Sequence, residues 1–180
     1  MQQINNLDHA SVIRLDHRAD FALQALPEGP SALFDRMRGS TDSYEQEILW
    51  GEWVEHFFEQ GKITWVGLAA VPLMQALSLE ESWEDPRPIW EYLLFMASHV
   101  ERIYFYYDRH PGPDFSSEEN RWKDVWKREE VRPWLRLAFH AFREYLPLME
   151  EKLPHVSGKQ KELVYKLLWM SLSFGKTKLK

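Results

Sequence analysis

The amino-acid sequence predicts an all-α protein, a compact single-domain bundle of about seven or eight helices, and three observations predict it. Apolar residues recur at three- and four-residue steps along most of the chain, the period of a helix buried on one face. No segment alternates apolar and polar residues for long enough to make a convincing strand. Prolines, glycines and capping residues cut the chain into pieces of ordinary helical length.

The elements follow in order. Val12, Leu15, Ala19, Ala22, Leu23 and Leu26 place an amphipathic helix from about Asp8 to Leu26, stopped by Pro27-Glu28-Gly29-Pro30. A short helix from Ser31 to about Arg38 closes at Gly39. Ser43 with Gln46 resembles a capping box and opens a helix to Gln60, ended by Gly61. Lys62 to Leu79 is strongly apolar and should kink or break at Pro72. Glu80 to Pro88 is an acidic, proline-marked loop. Ile89 to Tyr107 is apolar in most directions, which predicts a central hydrophobic helix near 89–107. Two prolines and a glycine between Asp108 and Phe115 make a turn, and Ser116 with Glu119 opens a helix to about Glu130. Pro133 suits the first turn of a helix reaching Lys152, kinked at Pro147. A last helix runs from Lys159 to Phe174, so the domain spans 1–175 and residues 176–180 form a frayed basic tail.

At 180 residues the chain is long enough to bury a core without a disulfide or a structural metal. Nine Trp, ten Phe and seven Tyr mean that this core is built largely from rings. The absence of cysteine excludes a disulfide framework, a thiolate nucleophile and a Cys-based zinc site. The first residues lack a basic and then apolar leader, and the apolar run Ile63 to Leu77 is too short to span a bilayer. A cytoplasmic protein without a membrane partner is the expectation.

Charge is divided along the chain. Between Thr41 and Glu91 eleven acidic residues face only Lys62 and Arg87, whereas Arg121 to Lys180 holds fourteen Lys and Arg against seven acids. Such a division shapes long-range fields and the choice of partner rather than chemistry.

The chemical motifs tested are mostly not met. Glu52, Glu55, His56 and Glu59 lie on one predicted helix, but their spacing is not the Glu-x-x-His of carboxylate-bridged metal bundles. With Glu45 they project as an outward ridge, opposite Ile48, Leu49, Trp50, Trp53, Val54, Phe57 and Phe58, which suits solvent or a partner better than a metal. Asp8-His9 and Asp16-His17 read as surface residues of the first helix. Arg136 and His140 are too closely spaced for the arginine–histidine signature of helical ribonucleases. No Gly-rich phosphate loop, nucleophile elbow or zincin helix occurs. No cofactor is therefore expected.

Three functional expectations remain. The first is a non-enzymatic helical interaction protein, either an acidic inhibitor or immunity-type partner of a basic protein or a subunit of a larger assembly. Its partner-binding surface would be Glu45, Glu52, Glu55, His56 and Glu59 together with the loop acids Glu80, Glu81, Glu84 and Asp85. The second is a subunit of a nucleic-acid complex. Arg121, Lys123, Lys127, Arg128 and Arg132, interleaved with Trp122, Trp126 and Trp134, would bind phosphates, and the two charged halves would permit head-to-tail self-association. The third is an enzyme with a buried pocket around His99 and Tyr106, a histidine whose simpler role is a hydrogen-bonded core residue.

Overall fold

A computed structural model describes residues 15–59, 62–80, 83, 85–109 and 132–176. They form seven α-helices, one short 3-10 turn and a two-residue β pair: α1 (Leu15–Ala25), α2 (Glu28–Gly39), α3 (Ser43–Val54), β1 (Phe58–Glu59), β2 (Lys62–Ile63), α4 (Trp65–Leu79), α5 (Arg87–Arg109), α6 (Arg132–Lys152), the 3-10 turn Leu153–His155, and α7 (Gly158–Lys176). The all-α bundle expected from the sequence is the fold observed. The start of the first helix, the segment 110–131 with its expected helix, and the tail beyond Lys176 lie outside the described residues.

Helices α4, α5 and α6 pack on one another and make the centre. Helix α1 covers α4 and α6 on one side, and α7 covers α5 and α6 on another. In α4 every residue from Gly67 to Gln75 is buried. Helix α5 touches α4, α6 and α7 and is one of the central helices, as its wrap-around apolar pattern predicts, with Glu91, Phe95 and Ser98 exposed. The small Gly67, Ala69 and Ala70 of α4 let its neighbours approach closely.

Helix α4 starts where Thr64 caps it, its Oγ1 accepting from the Gly67 N–H at 3.1 Å. It then runs through Pro72 without interruption. Proline lacks an N–H, so the Leu68 carbonyl loses one helical bond, a loss the surrounding core holds in place. Pro147 lies inside α6 in the same way.

Helices α2 and α3 form a pair at the side of this centre. Helix α2 begins at Glu28, earlier than the Pro-Gly-Pro run suggests. Pro30 falls in its first turn, where a missing N–H costs nothing. Helix α3 is capped by Asp42 rather than Ser43: the Asp42 carboxylate accepts from the Glu45 N–H at 2.8 Å, and Ser40 Oγ donates to Glu45 Oε2 at 2.8 Å. The buried Gln46 donates from Nε2 to the Ser40 carbonyl at 2.9 Å.

Helix α3 ends at Val54, not Gln60. Thr64 Oγ1 donates to the His56 and Phe57 carbonyls at 2.8 and 3.2 Å, and the Thr64 N–H donates to the Phe57 carbonyl at 2.9 Å. These bonds divert the chain into the antiparallel pairs Phe58–Ile63 and Glu59–Lys62. Rings then fasten the side pair to the centre. Phe34 meets Trp53, Trp53 meets Phe57, and Phe57 stacks on Tyr92 of α5 with centroids 4.2 Å apart. Each such pair adds about 0.5–1.5 kcal/mol beyond the area it buries.

Candidate partner-binding surfaces

The acidic stretch acquires cations in space that it lacks in sequence. Arg36 reaches Glu52 at 3.4 Å, and Arg38 reaches Glu80 at 2.8 Å, both from α2. Asp85 is held by Arg87 through contacts of 2.6–2.9 Å and accepts the Arg87 N–H at 3.1 Å, which caps α5. The Arg87 guanidinium holds the Asp85 carboxyl below its ordinary range, and Arg87 is raised in turn. Surface pairs of this kind add little stability, but they reduce the field on that side of the molecule.

The residues of the expected ridge do not all share one surface. Glu45, Glu52 and Glu55 are exposed on or just after α3. His56 is half-buried, with its ring centroid 6.4 Å from that of Trp53. The backbone of Glu59 leaves the helix and pairs with Lys62, so the single helical ridge through Glu59 does not exist. Its side chain, and Glu81 and Glu84, lie outside the described residues. Glu47 and Glu55 make no ion pair among the described residues.

What the ridge lacks in length it gains in apolar content. Tyr44 is 72% exposed and Ile48 is 45% exposed, both on the outward side of α3. At one hundred degrees per residue they share a face with Gly51, flanked by Glu45, Glu47, Glu52 and Glu55. Gly51 is an exposed mid-helix glycine, and a Cβ placed there meets nothing within 4 Å. No packing among the described residues requires a glycine at that position.

Beside this face lies a cleft of about 530 Å³, lined by Tyr44, Glu47, Trp50, Trp83, Asp85 and Pro88 along with Ser43 and Gln46. Trp83 is almost fully buried and donates its indole N–H to the Asp85 carbonyl at 3.0 Å. Trp50 packs edgewise on Phe57 and Tyr92.

A separate apolar row runs along α7. Tyr165 is 53% exposed, Trp169 76% and Leu172 43%, at steps of four and three residues, with Lys161, Glu162 and Lys166 close by. Lys166 bonds Glu162 at 2.6 Å and lowers that carboxyl. The sequence reading missed both exposed rows. A signal for the second was present: Leu163, Val164, Tyr165, Leu167, Leu168, Trp169, Met170 and Leu172 wrap around α7, more apolar residues than one buried face requires.

The remaining candidates separate in space or fall outside description. His99 is half-buried, with Nδ1 2.7 Å from the Phe95 carbonyl and its ring centroid 4.1 Å from that of the exposed Phe95. It lines neither the cleft above nor the polar groove between the start of α5 and α7. The Tyr106 side chain, the Arg132 side chain, and all of Arg121, Lys123, Lys127 and Arg128 lie outside the described residues. Among the described residues no three His, Asp or Glu come together as metal ligands, and no helix is long and apolar enough to cross a membrane.

Comparison with protein-family models, curated proteins and solved structures finds no match to this chain.

Proposed function

We propose that the protein is a non-enzymatic helical interaction protein and that the acid-fenced face of α3 receives a protein partner with a basic surface. The observation that carries this reading is the outward pair Tyr44 and Ile48 among Glu45, Glu47, Glu52 and Glu55. Apolar anchors surrounded by charge suit an interface: the anchors supply most of the affinity, and the fence sets encounter rate and specificity. Gly51 supports it, since a bare backbone patch lets a partner's backbone approach closely. Glu47 and Glu55 carry more of the fence than Glu52, which Arg36 partly neutralises.

The test compares wild type with Tyr44→Ala and with the double substitution Glu47→Lys, Glu55→Lys in binding to the protein companion. Each variant should lose at least about tenfold in affinity, the scale of one hot-spot residue, with an unchanged melting temperature. Undiminished binding by both would remove α3 from the interface.

The α7 row favours a second reading, a subunit of a larger assembly. Trp169 and Tyr165 are the residue types that dominate interface energetics, and their lysine neighbours complement the acid fence of α3. Another copy of this chain is one such neighbour, joined head to tail. Sedimentation of wild type against Trp169→Ala over a hundredfold concentration range tests it. A concentration-dependent species absent in the variant supports self-association, and a monomer throughout removes it.

A further inference from the structure

We infer that the cleft between the start of α3 and the start of α5 is a binding site for an organic cation, an alkylammonium or quaternary ammonium group. Three aromatic side chains line it, Tyr44, Trp50 and Trp83, and its carboxylates are those of Glu47 and Asp85. Ring faces attract cations through their quadrupole, and an acid at the rim adds a full charge. At about 530 Å³ the space suits a cation with its attached chain rather than a bare metal ion.

The lining is held in place by a second set of contacts. Trp50 rests against Phe57 and Tyr92, with centroids 6.2 and 6.1 Å away. Tyr92 is itself tied to the Gly67 carbonyl by its hydroxyl at 2.7 Å. Trp83 is pinned by its bond to Asp85, and Asp85 by Arg87. A site whose rings are fixed in advance loses less entropy on binding.

Charges of both signs lie around the cleft. Two helices begin at this cleft, and helix starts carry partial positive charge that opposes a cation. Arg87 opposes it as well, and it compensates Asp85. Against them stand the two carboxylates that line the cleft, Asp85, which Arg87 compensates, and Glu47, whose carboxylate makes no hydrogen bond or ion pair among the described residues. Glu47 is thus the carboxylate left for a ligand. Tyr44 stands at the same rim, 72% exposed, where it adds no core packing but can close over a bound cation.

That the cation is a side chain of the protein partner rests on the interaction reading above; the chemistry of the cleft does not. The experiment therefore titrates purified full-length protein with choline, with choline's uncharged carbon isostere, and with a peptide carrying one trimethyllysine. The indole N–H resonances of Trp50 and Trp83 report binding. Choline should move both signals saturably, and the isostere should bind about tenfold more weakly or worse, the discrimination expected of a partly desolvated ring site. Glu47→Gln and Tyr44→Leu, surface changes that leave the core intact, should each weaken choline by about fivefold or more. Peptide binding tighter than choline assigns the cation to a partner's side chain, and choline tighter than the peptide assigns it to a small molecule; both support the site. Equal binding of the isostere, or silence at both indoles, overturns it. Those failures leave the effect of Glu47→Lys and Glu55→Lys on partner binding untouched, so the two readings fall separately.

Discussion

Gln75 is the residue whose chemistry the fold treats worst. It is fully buried in α4, and neither end of its side-chain amide has a partner among the described residues. A polar group in that position costs about 1–3 kcal/mol against an apolar one of equal shape. Gln75→Met should therefore stabilise the protein, raising the urea midpoint at unchanged slope; a lower midpoint would mean that the amide has a role. Two buried phenols make the opposite kind of statement. Burial pushes Tyr92 and Tyr145 well above the ordinary phenol range; Tyr92 bonds the Gly67 carbonyl and Tyr145 pairs with Ser78. A raised folded value favours the neutral form, so their contribution is complete below the unfolded value of about 10 and is lost as pH rises above it. Unfolding in base should set in above about pH 10. Tyr92→Phe should blunt that base-induced loss while removing about 1 kcal/mol at neutral pH, a trade-off that urea melts at two pH values can read. Asp85 behaves in the reverse sense: its lowered value means support present above about pH 4 and lost as pH falls through it.

Among the elements, α3 combines the clearest cost with the clearest opportunity. Gly51 weakens a helix by about 1 kcal/mol relative to alanine, and nothing within 4 Å prevents the substitution. Gly51→Ala should raise the melting temperature by about 2–4 °C. If a partner's backbone approaches there as proposed, the added methyl group should also weaken its binding. A rise in stability with no loss of binding would leave the glycine without an explanation at the interface. The same helix shows where sequence reasoning reached its limit. Its existence was legible from Leu49 and Trp53, but its end was not, because Thr64 stops it from eight and seven residues downstream by bonding the His56 and Phe57 carbonyls. A tertiary bond of that sort leaves no trace in local periodicity. Nor could projection show that Ile48 points outward, since α3 leans mainly on α2, and its apolar residues wrap further around it than the packed face does. Helices α6 and α7 were legible to within about two residues because their starts carry local signals, Pro133 and Gly158, the last with a left-handed φ of 53°, whereas α4 was placed three residues early, at Lys62, its cap Thr64 unread.

At the level of the whole molecule, the divided charge of the sequence survives folding only in part. Arg36 and Arg38 lie outside the acidic stretch in sequence yet fold onto Glu52 and Glu80, so the field on that side is weaker than the residue count implies. Glu47 and Glu55, beside Tyr44 and Ile48, are among the exposed acids of the stretch that no cation pairs among the described residues. An interface of this composition should show modest salt dependence. Raising ionic strength from about 0.01 to 0.15 M, which shortens the Debye length from about 30 to 8 Å, should slow association more than it speeds dissociation. Rates unchanged by salt would assign the binding to the apolar anchors with no contribution from the fence. The most direct test of the central claim is native mass spectrometry of the protein captured from its source cells at low salt. Three forms are compared: wild type, the double variant Glu47→Lys with Glu55→Lys, and the double variant Glu150→Lys with Glu151→Lys on α6 as a control of equal net charge. A defined protein companion is expected on wild type and on the control, lost from the α3 double variant. A bare monomer throughout, or a companion that all three retain equally, would contradict it.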